Sequence, residues 1–410
     1  MYLCQDDHSY TAKYLHQFDN KLWDYVEPGG KMCRSSRNKK KAEVKPKKET
    51  KTTEAEEIPI KNKRLSFTSF LIPICITGEK QDYQLLYCVC ALKNALKFLS
   101  TTLRKEGFAQ LYMVGMKSEV DWDKIKANSV TFTDIITEFL LKSGAVCMVA
   151  AHKKELIRKV NNPDAPYIVL VTATDIQLPC QSNLCVGSSW LVFRRSQKSR
   201  EGLFYREVYQ GGRRTVNAGI LVNGCRTTIA TTFKKVDGIH HFIFDTKYGD
   251  FLQFQNNSFL RPSGNTISIN EGLVYKFNQK VQDWLKQKKL TKDSYLSRYT
   301  GGWLTDGCRI LRSGGLLLCP EDRESCRGRV KYLYQALPMA FLTEKAGGKA
   351  TNGRESIMKL NYYRPDLTSL VLGSSKAVEN FMEIRNVYAV KEQLTQQNDE
   401  DSDETSTDFE

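Results

Sequence analysis

No stretch of this 410-residue chain approaches the roughly 20 consecutive apolar positions that a membrane-spanning helix needs. "FLIPICI" at 70–76 is too short, and "LLYCVCALKNALKFL" at 85–99 is interrupted by Lys93 and Lys97. The N-terminal "MYLCQDDHSY" has no basic region followed by an apolar run, so no secretory signal is expected. None of the twelve cysteines forms a C-x-x-C pair, Cys88 and Cys90 being the closest spacing. That argues against a zinc ribbon and against a small disulfide scaffold, and leaves the reduced thiols of a cytosolic protein. No G-x-G-x-x-G follows a strand pattern, and "AGGKA" lacks the upstream glycine of a P-loop. Histidine is scarce, five in all. His240 and His241 are adjacent, so in a strand they face opposite sides and cannot share one metal; each reads as a surface or packed histidine. "NNS" at 256–258 spells a glycosylation sequon, but nothing else points to secretion. No Ser/His/Asp or Cys/His set and no internal repeat stands out.

What is present is size and positive charge. The chain is long enough for two domains with a sizeable core, 41% of it is hydrophobic, and its formal charge is +15. Residues 34–64 hold twelve Lys/Arg against five Glu, a net +7, without hydrophobic periodicity. Together with the residues before it, this segment is expected to be a disordered, basic extension over 1–64. Around "RNKKKAEVKPKK" it also resembles a nuclear-localisation or nucleic-acid patch. No aromatic interleaves it, so no stacking platform for single strands exists and nucleic acid is not the expected partner. At the other end, 391–410 reads as an acidic, disordered tail, with eight acids and no base from residue 392 onward. The remaining charge lies on the middle of the chain, which suits phosphate-bearing ligands or an acidic partner surface.

Ordered structure is expected from about residue 65. Leu85, Val89, Leu92, Leu96, Leu99 and Leu103 recur at spacings of three and four, which predicts an amphipathic helix over 83–106 ended by Gly107. A second helix is predicted over 134–143, capped by Asp134 and stopped before Gly144. "AVCMVAA" and "YIVLV" read as buried strands, followed by "SSWLVFRR", "TVNAGILVNG", "TTIATTF" and "HHFIFD". Past a boundary near 256–265 come a helix over 271–289, "GGLLLCP", the strand "RVKYLY", a helix opened by Pro338 and closed by Gly347–Gly348, and a last strand in "SLVLGSS". The class is α/β, layered, without the regular βα alternation of a barrel. The strand at 167–171 runs into a lone carboxylate, Asp175, where ligands of α/β proteins commonly bind.

The run from Ser297 to Ser356, "SRYTGGWLTDGCRILRSGGLLLCPEDRESCRGRVKYLYQALPMAFLTEKAGGKATNGRES", closely resembles class 1 fructose-1,6-bisphosphatase. "LRKEGFAQLY" (103–112), "YQGGRRTVNAG" (209–219), "SINEG" (268–272) and "LVLGSS" (370–375) match the same family in the same order. The likeness covers about residues 80 to 388. It implies a sugar-phosphatase fold of two domains, 65–260 and 261–390, with mixed sheets and helices between the layers. It also implies a homotetramer, and Mg²⁺-dependent hydrolysis of the 1-phosphate of fructose 1,6-bisphosphate.

The same resemblance exposes departures. Where the family writes Asp-Pro-Leu-Asp-Gly-Ser-Ser, this chain writes "TATDIQL" at 172–178, so Thr172 replaces the first aspartate and Asp175 is the second. The phosphate-cradling Gly-Ser-Ser becomes Ile176-Gln177-Leu178. A metal-ligand glutamate falls on Ala151, its base-like neighbour on His152, and the last ligand glutamate on Gln335. The mobile-loop aspartate falls on Ser129, while another loop aspartate persists as Asp123. Asp175 is then the only ligand carboxylate of four, and Mg²⁺ dehydrates too reluctantly to be held by neutral oxygens. These departures imply a pseudo-phosphatase with no cofactor, Mg²⁺ entering only in an active alternative.

The sugar-phosphate positions fare better. Asn270, Arg298 and Tyr299 keep the family's 6-phosphate-binding types, the arginine normally reaching from a neighbouring subunit. Arg329 replaces the active-site lysine and Lys331 stays basic. Leu273 and Cys319 replace two pocket tyrosines, and Trp303 replaces a methionine. Either phosphate binding persists, or these positions serve folding and subunit packing. The family's AMP loop aligns with Asp82-Tyr83-Gln84-Leu85, a Lys-Tyr pair becomes Pro166-Tyr167, and Arg194 survives, so AMP inhibition is expected to be weak or absent. Three readings follow. One is a silent family member that binds a sugar phosphate, or assembles with itself or an active paralogue. The second is an active bisphosphatase using Asp175, Asp123 and His152 with some other metal. The third is a scaffold acting through its basic segment. The expected compartment is the cytoplasm, with the basic segment admitting the nucleus.

Overall fold

The apolar run that ends before Thr172 is a strand buried on both faces, as its composition demands. The structure, a computed structural model, describes residues 65–76, 82–112, 122–151, 162–175, 185–195, 208, 211–291, 295–360 and 367–383, without the side chains of 105–112, 122–131 and 211. The expectations for 1–64 and 391–410 lie outside these residues.

The described residues open with three helices, α1 (Phe67–Ile76), α2 (Tyr83–Tyr112) and α3 (Trp122–Lys142). They cover one face of a seven-stranded sheet whose strands follow chain order. These strands are β1 (Val146–Ala151), β2 (Tyr167–Thr172), β3 (Val186–Arg194), β4 (Thr215–Asn223), β5 (Thr227–Phe233), β6 (Ile239–Asp245) and β7 (Asp250–Ser258). The β1–β2 pair is parallel and the other neighbours are antiparallel. A second sheet orders β12 (Lys349–Thr351), β14 (Leu370–Gly373), β10 (Leu316–Cys319), β8 (Thr266–Ser268) and β9 (Leu296–Ser297). Among the described residues a short pair, β11 (Val330–Lys331) with β13 (Leu367–Thr368), is the remaining strand pairing.

Side-chain alternation sorts the layers. Tyr167, Val169 and Val171 of β2 pack with α1, α2 and α3. Ile168 and Leu170 face α5 (Trp303–Ser313) and α6 (Leu337–Lys345), the helices between the two sheets. In β10, Leu317 and Cys319 join that same middle core, whereas Leu316 and Leu318 turn outward. The outward pair packs with Trp284 and Leu285 of α4 (Gln279–Leu290) and with Phe381 of a final helix over 375–383. The layers therefore run helix, sheet, helix, sheet, helix, and the mixed α/β architecture matches expectation.

Several boundaries differ from the sequence reading. α2 continues past Gly107 to Tyr112, since one glycine costs a helix interior only about 1 kcal/mol. α3 begins at Trp122, so Asp134 lies inside the helix instead of capping it. The helix expected over 271–289 is two pieces. A 3₁₀ turn over Glu271–Lys276 is capped by Asn270, and α4 is capped by Asn278, whose side chain accepts from the Val281 N–H at 3.0 Å. "RVKYLY" is a two-residue strand that runs into a π-turn over Tyr332–Ala336. β7 carries no apolar alternation strong enough to announce it, being a largely polar edge strand.

Candidate functional site

Because β1 and β2 run parallel with Ala151 opposite Val171, their carboxyl ends place Ala151 beside Thr172. Both are buried. The π-turn over Tyr332–Ala336 closes over these ends, and such turns free backbone groups from the regular helical ladder. The freed Tyr334 carbonyl accepts from Thr172 Oγ1 at 3.1 Å and from Ser189 Oγ at 2.7 Å. The next residue, Gln335, turns its Oε1 onto the Lys331 N–H at 3.1 Å. Three of the positions to which the resemblance assigns metal carboxylates are thus a methyl, a hydroxyl and a carboxamide, and the two polar ones are bonded within the protein.

Asp175 is tied down in a different way. Its N–H donates to the Gly187 carbonyl at 2.9 Å, while the Gly187 N–H donates back to Oδ1 at 2.8 Å. Oδ2 accepts from the Leu304 N–H at 3.0 Å, in the first turn of α5. Helix α5 has Gly302 at its N-cap and no side chain of its own in that role, so Asp175 caps it from across the fold. Burial pushes this carboxyl up to about 6, and the backbone N–H groups pull it partly back. Gly187 is required for this approach. A Cβ there would stand 2.8 Å from Asp175 Oδ2 and 2.6 Å from Leu304 Cβ.

On the phosphate side, Asn270 Oδ1 accepts from the Gly272 N–H at 3.2 Å, and its side chain lies near the Tyr299 hydroxyl. The Tyr299 ring packs edge-on against Trp303, with centroids 6.3 Å apart. Burial raises the Tyr299 hydroxyl, and Cys319 and Asp306 raise it further. The fully buried Asp306 holds the preceding loop. It accepts from the Thr300 N–H and Oγ1, each at 2.9 Å, and from Arg309 Nη1 at 2.7 Å. Arg298 is exposed, and its Nη1 donates to the Ser297 carbonyl at 2.7 Å. Arg329 makes a bidentate pair with Asp322, Nε to Oδ2 at 2.6 Å and Nη2 to Oδ1 at 3.0 Å. Lys331 is exposed at the end of β11.

The structure thus brings Ala151, Thr172 and Gln335 to one place, and Asn270 to Tyr299. Asp123 and Ser129 lie in α3, but their side chains are outside the described residues, as is all of His152. Among the described residues no group of three or more His, Cys, Asp or Glu could hold a metal ion. Sequence reasoning missed Gly187, Ser189 and the Tyr334 carbonyl. Only Gly187 carried a signal, as an isolated glycine within a strand pattern. It also missed the acids Asp322 and Glu324, which stand out in "PEDRESC" as charges beside a basic pocket.

Two mixed sheets separated by helices, with polar groups gathered at strand ends and basic groups beside them, define a layered α/β protein whose strand ends form the place for a ligand site. Family profiles bear on which one. "Fructose-1-6-bisphosphatase, N-terminal domain" matches residues 70–256, and the corresponding C-terminal domain matches 260–386. The chain is 29% identical over 322 residues to fructose-1,6-bisphosphatase 1 of Bos taurus, covering 77% of this chain and 92% of that one. It is 28% identical over 317 residues to the class 1 enzyme of Microcystis aeruginosa, covering 75% and 88%. The crystal structure of Leishmania major fructose-1,6-bisphosphatase in holo form superposes with a TM-score of 0.71 at 23% identity, over 78% of this chain and 99% of that one. The chain belongs to the fructose-1,6-bisphosphatase family.

Proposed function

We propose that this chain is a catalytically silent member of its family, which binds a sugar phosphate and assembles with itself or with an active relative in the cytoplasm. The observation that carries this reading is the chemistry at the strand ends. Ala151 offers no donor, and Thr172 and Gln335 are neutral and committed to Tyr334 and Lys331. Both oxygens of Asp175 face backbone N–H groups. Mg²⁺ is a hard cation that holds its waters, and carboxylates are what compete with them. These residues do not fit the metal that the family's reaction uses. A metal supplies several kcal/mol of transition-state stabilisation, so its loss lowers turnover by orders of magnitude. Among the described residues no helix is long and apolar enough to cross a membrane.

The test is phosphate release from fructose 1,6-bisphosphate by the purified full chain, with Mg²⁺ and separately with Mn²⁺, beside Asp175→Asn. Release equal in the two proteins is expected and reflects background alone. Release by the native chain that disappears in Asp175→Asn would establish an active enzyme with a reduced cage.

A further inference from the structure

The side chains around Arg329 form a closed circuit that the metal-site comparison leaves unexplained. Asp322 is almost fully buried, and its Oδ1 accepts from the Glu324 and Ser325 N–H groups at 3.0 and 2.9 Å. The same carboxylate takes Arg329 bidentately, which holds the guanidinium in one orientation. The turn that Asp322 shapes presents Glu324, whose Oε2 accepts from Lys276 Nζ at 2.7 Å and from Arg329 Nη2 at 3.2 Å. Lys276 belongs to the 3₁₀ turn that Asn270 caps, and its carbonyl accepts from the Arg323 N–H at 3.0 Å. Two cations from different segments therefore converge on one exposed carboxylate. The region is tied to Asn270 through the turn that carries Lys276, and to Tyr299 through Cys319, which interacts with both Arg329 and Tyr299.

The two acids are not equivalent. Asp322 is built into the turn, and removing it would leave Arg329 without the bidentate partner that aims it. Glu324 is 59% exposed, and ion pairs so placed are weak and screened. A phosphate monoester carries more charge and more acceptor oxygens than a carboxylate, and could take the same two donors.

We propose that Glu324 is a built-in competitor for phosphate: it occupies Arg329 and Lys276, the two donors that would otherwise receive the phosphate group of a ligand, and so sets the affinity and selectivity of this site. The inference rests on the reading of this pocket as a sugar-phosphate site, but not on the absence of turnover. Phosphate enters as Glu324 swings into solvent, while Asp322 keeps Arg329 aimed.

The experiment is calorimetric titration of the native full chain, Glu324→Gln and Arg329→Gln with inorganic phosphate and, separately, with fructose 1,6-bisphosphate without added metal. Glu324→Gln is expected to bind about tenfold more tightly than the native chain, as removal of two exposed ion pairs allows. Arg329→Gln is expected to bind neither ligand. A gain shared by both ligands means that the site reads phosphate alone, and a gain confined to the bisphosphate means that it reads phosphate on a sugar; either supports the inference. Equal affinity, weaker binding by Glu324→Gln, or no binding by either protein overturns it. Unchanged unfolding curves confirm that Glu324→Gln folds, and phosphate release measured on the same samples tests catalytic silence separately.

Discussion

Each oxygen of Asp175 faces a backbone N–H within 3.0 Å, one from β3 and one from α5. The carboxylate that the resemblance marks as a metal ligand thus has a structural task of its own, joining the first sheet to the helix that carries Trp303. Asp175→Asn keeps the size but turns one acceptor into a donor against an N–H. A loss of about 1–3 kcal/mol is expected, read from the urea midpoint of unfolding. Adding Mg²⁺ or Mn²⁺ is expected to leave the native melting temperature unchanged, because only an ion bound by the folded state raises it. Asp82 behaves alike at the start of α2. It caps the helix at the Leu85 N–H (3.0 Å), accepts from the Tyr167 hydroxyl, and pairs with Arg194 at 3.3 Å. The resemblance assigns the family's AMP site to these positions, and here a carboxylate of the chain itself sits among them. Titration with AMP is expected to give no heat in the native chain, and Asp82→Ala to lower stability by about 1–2 kcal/mol through loss of the cap. Tight AMP binding by the native chain would contradict this picture.

At the scale of elements, the β6–β7 hairpin buries two histidines against its neighbours. His241 bonds Ser258 at 2.7 Å, lies beside the Phe254 ring and His240, and faces Arg312 of α5. Burial, Arg312 and His240 lower its ring from 6.5 to about 4. The sign follows directly. The folded state keeps His241 neutral where the unfolded chain takes up a proton, so its stabilising share is complete above about pH 6.5 and declines as pH falls toward 4. The share at stake is about 3 kcal/mol. Urea midpoints followed from neutral pH down to about pH 4 are expected to fall less steeply in His241→Gln than in the native chain; parallel slopes would refute the assignment. This hairpin also marks the limit of what could be read from sequence. β2, β4, β5 and α6 were legible because apolar runs, a row of β-branched residues, or a proline and glycine pair mark them locally. β7 was not, since an edge strand with one buried face broken by Gln and Asn has no periodic signal. The second sheet includes strands of two and three residues, whose pairing depends on partners far along the chain. The site divides in the same way. Residue types at Thr172 and Gln335 could be aligned, but the atom that joins Thr172 to Ser189 is the Tyr334 carbonyl, which only the π-turn exposes.

At the scale of the whole molecule, the family's layered body is kept, and in the proposed reading the charge at the reaction centre is gone while the phosphate-side residues stay. That combination favours a chain whose contribution is made to a neighbour. Arg298 fits such a role. It is exposed, its loop is anchored through Thr300 to the buried Asp306, and the main chain of Ser297 holds its guanidinium at the surface. Fixed in this way, an arginine can reach a phosphate held by an adjoining subunit with little conformational freedom left to lose. Light scattering is expected to return a multiple of the 46.9 kDa chain mass. Co-expressed with an active family member, the native chain is expected to enter mixed assemblies and support its partner's pocket. Arg298→Ala should leave the mass of those assemblies unchanged and raise the partner's KM for fructose 1,6-bisphosphate about tenfold or more, the loss expected when one charge-assisted contact to phosphate is removed. An unchanged KM in isolated mixed assemblies would exclude a contribution of Arg298 to the neighbouring site. A raised KM with unchanged kcat would mean that this chain supplies binding and its partner supplies the chemistry.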